Sequence, residues 1–341
     1  MPGVPVFAAD QVTAALAPGE SVDVVRDAFV AHARGTWTMP SKVYLPAPPD
    51  GDFRAMPASG GGYAVLKWVT SFPNNPARAL PTVSGVVLLS DGETGELRAI
   101  LDAGAVTALR TGAAAVLAAE ALARPTVAPA AVVGCGVNGR AVARTFLARE
   151  REVVLWDARP NQAQLVAGEL GDGAEVAADL ADALACDVVV TVTPGRELLF
   201  DDRTLHAGQH VSLMGADGPG KAEIAVEELL RARIVVDERE QVVASGTPVR
   251  VRLFCDDWEQ AKHGGDLSRG VEAGLTRDDV TQLGDVLLGA APGRESEHDI
   301  TLFDSTGLAI QDLAVSIAVY ERYREDPSTP AFAGTSEIEI G

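Results

Sequence analysis

The sequence predicts an α/β fold in which a doubly wound parallel Rossmann sheet is inserted into an α+β substrate domain. Three observations lead there. From about residue 129, short apolar runs alternate with helical patterns, the rhythm of a parallel sheet covered on both faces. A G-x-G-x-x-G run lies at one strand-to-helix turn of that rhythm. Between about 38 and 101 the texture differs. There, β-rich runs are separated by Gly, Pro and Asn clusters, as in an antiparallel or mixed sheet.

The elements follow in chain order. Residues 20–35 place Val24, Val25, Ala28, Phe29 and Ala31 on one broad apolar face, which predicts an amphipathic helix stopped at Gly35. The β-rich runs are 63–69, 83–89 and 97–101; residues 102–123 are Ala-rich and helical until Pro125. Strands are predicted at 130–133, 152–156, 187–192, 210–214 and 233–236, with helices at 137–149 and 161–170. A long helix spans 308–325, and the tail from Pro327 is expected to be loose. The N-terminal sheet and C-terminal helix flank the Rossmann segment. Residues 1–115 with 305–341 are therefore expected to form the substrate domain, and 116–304 the inserted Rossmann domain.

Bulk properties narrow the function. A length of 341 residues suits two domains, and 47% hydrophobic residues supply a packed core. The net charge of −20 repels phosphate backbones and anionic lipid, so neither nucleic acid nor membrane is expected as a partner. Cys135, Cys186 and Cys255 are odd in number and widely spaced, which suggests neither disulfides nor zinc; no metal is expected. Cys135 and Cys186 read as small buried fillers. No charged-then-apolar leader is seen, so a cytoplasmic protein is expected. The five histidines, His32, His206, His210, His263 and His298, fall in no usable motif and are expected at the surface or at helix ends.

The glycine run is Gly134-Cys135-Gly136-Val137-Asn138-Gly139, after the strand Ala-Ala-Val-Val and before an apolar-periodic helix. Gly134 permits the tight turn, Gly136 the approach of backbone to a pyrophosphate, and Gly139 close helix–strand packing. The helix start then offers free N–H groups to phosphate. The next strand ends at Asp157, where an acidic residue holds the ribose hydroxyls. Asp157 disfavours a 2′-phosphate, whereas Arg159 two residues on could attract one. NAD is thus the expected cofactor, with NADP left open.

Other segments look unlike filler. They are Arg54-Ala-Met-Pro57, Lys67 within an apolar strand, Pro73-Asn74-Asn75, Leu80-Pro81-Thr82, Thr107-Ala-Leu-Arg110-Thr111-Gly112, Gly215-Ala-Asp217-Gly-Pro-Gly-Lys221 and Phe303-Asp-Ser305-Thr306-Gly-Leu-Ala309. Together, from about residue 36 to 322, they resemble the ornithine cyclodeaminase/mu-crystallin family, which also holds archaeal-type alanine dehydrogenases and cyclic ketimine reductases. The resemblance implies that Arg110 and Lys67 hold a substrate carboxylate, with Lys42 as a further cationic contact. Arg54 and Thr306 join the substrate pocket, and Asp217 is the general acid/base. Thr82, Arg110, Thr111, Thr191, Thr193, Lys221 and Ser305 match positions that face the cofactor, as do the glycine run with Val137 and Asn138, Asp157 and Arg159. The resemblance also implies a homodimer through the N-terminal sheets, so the substrate domain is the dimerisation domain as well.

Two departures stand out. Asn138 and Gly139 replace the family's more usual glutamine and alanine. Arg54 stands where members that cyclise ornithine or lysine carry a glutamate, and an arginine repels a substrate's distal ammonium. The expected reaction is hydride transfer between NAD(H) and the α-carbon of a small amino acid or cyclic imino acid. Asp217 would accept a proton in the oxidative direction. Lys67, its pKa lowered by Arg54 and Arg110, would polarise the oxo or imino group or activate water. The alternatives are ornithine cyclodeamination with recycled NAD, and a non-catalytic nucleotide-binding protein like the crystallin-type members.

Overall fold

The computed structural model describes residues 3–201, 204–216, 218, 220–233 and 249–339. The chain forms two compact units, Met1–Arg110 with Leu308–Gly341, and Thr111–Gly307. The Rossmann unit is therefore inserted in the other. The divisions fall a few residues from 115/116 and 304/305, for physical reasons. Ser305, Thr306 and Gly307 all donate to Asp256 of the Rossmann unit. Thr107 and Arg110 lie against Lys67 and Asp312 of the discontinuous unit.

The discontinuous unit is built on a seven-stranded mixed sheet. Its strands are β1 (Val4–Phe7), β2 (Val43–Ala47), β3 (Gly51–Gly60), β4 (Tyr63–Ser71), β5 (Val83–Asp91), β6 (Leu97–Asp102) and β15 (Ser336–Ile338), in the order β15-β1-β6-β5-β4-β3-β2. Among the described residues, only the β1–β6 pairing of this sheet is parallel. On β4, Val65, Lys67 and Val69 are buried while Leu66 and Trp68 are exposed. That alternation follows from the two-residue period of a strand with one face covered. The covering elements are the last helix, Ala309–Glu325, which packs on β3, β4 and β5, and the helix Pro18–Ala33 packed against it.

The C-terminal tail corrects the expectation of a loose end. Strand β15 pairs antiparallel with β1, Val4 opposite Ile338. Phe332 is buried, its ring 5.5 Å from Phe7 and 5.3 Å from Tyr323. Aromatic burial, which the scattered apolar residues of the tail did not announce, holds it in place.

The Rossmann unit carries an eight-stranded sheet in which every pairing is parallel. Its strands are β7 (Ala130–Val133), β8 (Val153–Trp156), β9 (Ala174–Val176), β10 (Val188–Thr191), β11 (His210–Leu213), β12 (Val251–Cys255), β13 (Val280–Gln282) and β14 (Ile300–Asp304). The order is β13-β12-β14-β11-β10-β7-β8-β9. The winding reverses between β7 and β10, and ligands of such sheets bind at the strand C-termini beside that switch. Strand β14 lies inside the sheet yet escaped the periodicity reading, because Thr301 and Asp304 interrupt the apolar residues of Ile-Thr-Leu-Phe-Asp. The predicted strand at 233–236 begins at Arg233, which ends a 3-10 turn; its other residues lie outside the described residues.

The Ala-rich helix Ala103–Leu122 is long and apolar enough to cross a membrane by length and composition. However, 67% of its apolar window is buried within the protein, as in a core helix. His210, expected at a surface or helix end, is instead fully buried on β11. It lies between Thr301 Oγ1 at 2.9 Å and Ser212 Oγ at 3.0 Å. Burial, with Arg294 and Arg151 nearby, lowers its pKa to about 3, so it is a neutral structural group. Cys135 is buried as expected, whereas Cys186 is only partly so.

Candidate functional site

The glycine turn has the form a pyrophosphate needs. Gly134 adopts φ +102°, and a Cβ there would lie 2.7 Å from the Val192 carbonyl oxygen. Gly136 is exposed and faces open space. It caps the helix Val137–Ala148 with no side-chain acceptor, leaving the first N–H groups for a ligand. A Cβ on Gly139 would sit 1.8 Å from the Gly134 carbonyl oxygen, so helix and turn touch there. Val137 is exposed and Asn138 half-buried at the same helix start. These residues fit a dinucleotide.

Asp157 follows β8 and braces this turn. Its Oδ2 accepts from the Cys135 N–H at 2.8 Å, and its Oδ1 accepts from the Arg159 N–H at 2.9 Å and Nε at 3.3 Å. The Arg159 side chain is 74% exposed, so this tether is weak. Asp157→Ala should therefore narrow any preference for NADH over NADPH and free Arg159. Fluorescence titration with both nucleotides measures it, and an unchanged ratio would show that Asp157 serves the turn alone.

Thr191 and Thr193 stand at the C-terminal end of β10, but their hydroxyl hydrogens are committed. Thr191 donates to Glu223 Oε2 at 2.6 Å; the Thr193 hydroxyl and N–H donate to Oε1 at 2.6 and 3.0 Å. The Gly215 N–H donates to Oε2 at 2.8 Å. Burial raises the Glu223 pKa against these four donors. Behind it, Asp266 accepts from the Glu223 and Ile224 N–H groups, and Asp304 from those of Asp266 and Leu267. Burial and the neighbouring Glu223 push Asp266 up to about 7. This chain of acids ties down the loops after β10 and β11. The sequence reading missed it, since no spacing connects residues 223, 266 and 304. Asp217 lies outside the described residues; Lys221 is half-buried beside that loop. Ser305 and Thr306 are buried, and both hydroxyls donate to Asp256 at 3.2 Å.

In the discontinuous unit, Lys67 and Arg110 converge. Lys67 is fully buried on β4, and its Nζ donates to Thr107 Oγ1 at 2.6 Å and Asp312 Oδ1 at 3.0 Å. Arg110 Nε lies 3.5 Å from the same Asp312 oxygen. Burial lowers the Lys67 pKa to about 8; Asp312 opposes this, while Arg110 and Arg54 add to it. The direction matches expectation, but desolvation rather than the two arginines is the main cause. Arg54 faces inward on β3, its Nε 2.6 Å from Asp52 Oδ1 and its Nη2 3.2 Å from Oδ2, with the guanidinium over the Tyr44 ring. It is not the uncompensated cation that the sequence suggested. Lys42 is half-buried ahead of β2, and Thr82 is exposed ahead of β5. In the Rossmann unit, Thr111 is buried, its hydroxyl without a hydrogen-bond partner among the described residues. Asp312 was also missed. Its signal was available: an acid in the apolar stretch Ala-Ile-Gln-Asp-Leu-Ala-Val is as out of place as Lys67 on its strand.

Comparison with known proteins decides the family: the model of the ornithine cyclodeaminase/mu-crystallin family matches residues 6–327. The chain belongs to that family. It is 41% identical over 320 residues to an alanine dehydrogenase of Archaeoglobus fulgidus, covering 92% of each chain. Its fold matches a solved archaeal alanine dehydrogenase dimer with bound NAD at a TM-score of 0.85 and 37% identity, over 99% of both chains. It also matches the iminosuccinate reductase of Paracoccus denitrificans in complex with NAD+ at a TM-score of 0.82 and 26% identity, over 99% of this chain and 100% of that one.

Proposed function

We propose that the protein is an NAD-dependent oxidoreductase acting at the α-carbon of a small amino acid or cyclic imino acid, of the alanine dehydrogenase or ketimine reductase type. Assignment as an NAD(P)-binding oxidoreductase of small amino or imino acids rests on family membership together with relatives and fold neighbours that carry those activities or bind NAD. The observation that carries the finer reading is the buried Lys67–Arg110 pair. Two cations held side by side in a poorly solvated place suit a carboxylate, and a planar guanidinium fixes its orientation.

The glycine turn and Asp157 hold the nucleotide, which when bound supplies or accepts a hydride. Arg110 and Lys67 hold the acid so that its α-carbon is fixed in place. Lys67 as ammonium also polarises an oxo or imino oxygen or nitrogen. Asp217 exchanges the proton of the amino or imino group. The test is NADH absorbance with pyruvate plus ammonia, with a cyclic imino acid, and with ornithine in parallel. No NADH consumption with any oxo or imino acid would overturn the reading.

One observation favours the rival, ornithine cyclisation: Asp52 offsets part of the Arg54 charge. Even so, Arg54→Glu should raise the share of ornithine-dependent ammonia release relative to NADH consumption on oxo acids. Fast ornithine-to-proline conversion by the unmutated protein would give the rival first place.

We further propose a homodimer through the outer face of the mixed sheet. Val43, Leu45, Leu66, Trp68 and Val86 are all exposed, and the strand register places them on one face. Such patches mark protein contacts. Trp68→Glu should convert a dimer to a monomer in sedimentation velocity; a monomeric unmutated protein would refute the assignment.

A further inference from the structure

Asp312 is fully buried on the last helix. Its Oδ1 meets both cations of the proposed carboxylate site, Lys67 Nζ at 3.0 Å and Arg110 Nε at 3.5 Å. Its Oδ2 has no hydrogen-bond partner among the described residues, nor has Arg110 Nε. A carboxylate so placed is costly to desolvate and is retained only against strong compensation. Lys67, Arg110 and Asp312 come from three separate elements: β4, the helix Ala103–Leu122 and the helix Ala309–Glu325. A structural ion pair needs two of them. The third group gives the arrangement one cation more than the buried acid can neutralise, and that surplus charge is what a substrate carboxylate requires.

We propose that Asp312 is a positioning residue for the reaction proposed above, on which this inference rests: it holds the Lys67 ammonium and the Arg110 guanidinium side by side for one substrate carboxylate, and it keeps Lys67 charged. The groups that face Lys67 are Asp312 from the last helix, Thr107 and Arg110 from the helix Ala103–Leu122, and Arg54 from β3. The strand neighbours across β4 are the uncharged Met56 and Val87. Burial, Arg110 and Arg54 all favour the neutral amine; Asp312 opposes them. Removing its charge therefore moves Lys67 toward neutrality at lower pH. In Asp312→Asn the amide Oδ1 can still accept from Lys67 and keep the two cations in place, so where Lys67 is still protonated the site becomes more positive and its hold on an anion is not weakened.

The chain has only four lysines, Lys42, Lys67, Lys221 and Lys262, so their 13C-labelled ε-carbons can be followed by NMR across pH. Lys67 is assigned by its absence in Lys67→Met. Its midpoint should lie near 8 in the unmutated protein and fall by about one pH unit or more in Asp312→Asn. The basic limb of kcat/KM for the acid substrate should fall by the same amount, with KM not raised well below both midpoints. A residue that served packing alone would raise KM at every pH and leave the midpoint in place; an unmoved midpoint overturns the proposal. If Asp312→Asn does not fold, Asp312→Ser decides: this smaller neutral side chain should likewise lower the midpoint, and a midpoint that stays or rises overturns the proposal. Absence of turnover in the unmutated protein would sink the proposed reaction, while the NMR midpoints would still decide the role of Asp312.

Discussion

Lys67→Met is expected to reduce kcat/KM for the acid substrate by about 10²-fold or more, the usual loss when one partner of a buried, hydrogen-bonded charge pair is removed. Methionine fills nearly the same volume and is at home in an apolar strand. The sheet should therefore form as before. The loss falls on Nζ, which donates to Thr107 and Asp312 and is the ammonium offered to the substrate. Asp312 is not stranded, since Arg110 remains 3.5 Å away, so the drop in thermal midpoint should be modest. NADH affinity should be unchanged, because the glycine turn and Asp157 are on the Rossmann unit. Steady-state kinetics with parallel NADH titration give the result. Turnover within a few-fold of the unmutated protein would mean that Lys67 only neutralises Asp312.

Gly134→Ala is expected to weaken NADH binding by about 10²-fold or more, the scale of loss when reacting or binding groups are displaced by about 1 Å. Two effects combine. The residue sits at φ +102°, where a Cβ is strained, and the added carbon would lie 2.7 Å from the Val192 carbonyl oxygen and 2.9 Å from its carbon. Neither neighbour is the end of a flexible side chain. The turn must move, and with it the amide groups at the start of the helix Val137–Ala148. Gly136→Ala makes the informative contrast. Nothing lies within 4 Å of its added Cβ, so stability should hold, yet the new methyl group would stand where a pyrophosphate must approach. Thermal melts should separate the two variants, and NADH titration should show both impaired. Full NADH affinity in Gly136→Ala would place the phosphates elsewhere.

The Rossmann half of the fold was legible because its cues are local. Ala130–Val133, the glycine turn and Asp157 lie within one strand–helix–strand unit, where spacing and periodicity suffice. The two out-of-place cations, Lys67 and Arg110, were legible for a related reason: each interrupts an apolar pattern on its own element. What they touch was not. Asp312 reaches Lys67 from 245 residues away in the chain, and only the packing of the last helix on β4 brings them together. The acids 223, 266 and 304 were hidden in the same way. The Asp52 fork on Arg54 spans only two residues, but nothing in the local pattern showed that the two side chains on β3 would turn toward each other. Strand β15 escaped because three exposed residues, Ser336–Ile338, carry no apolar period; the β1 edge they pair with is what makes them a strand.

The pairing of β15 with β1 has a bearing on how the protein is born. The first strands leave the ribosome early, yet β3, β4 and β5 wait for the helix Ala309–Glu325 to cover them, and β1 waits for Ser336–Ile338 to close its edge. The inserted segment, Thr111–Gly307, has all of its own strands in hand much sooner. Synthesis should therefore yield a finished Rossmann unit tethered to a half-built sheet, with the apolar side of β4 and its buried lysine bared until residues 309–338 have been made. Exposed apolar surface and unpaired strand edges of this kind are prone to misassembly. Because β1 and β15 are adjacent strands, a rearranged chain in which β15 is linked directly to β1, with the break moved to a surface loop elsewhere, would let that edge close without the delay.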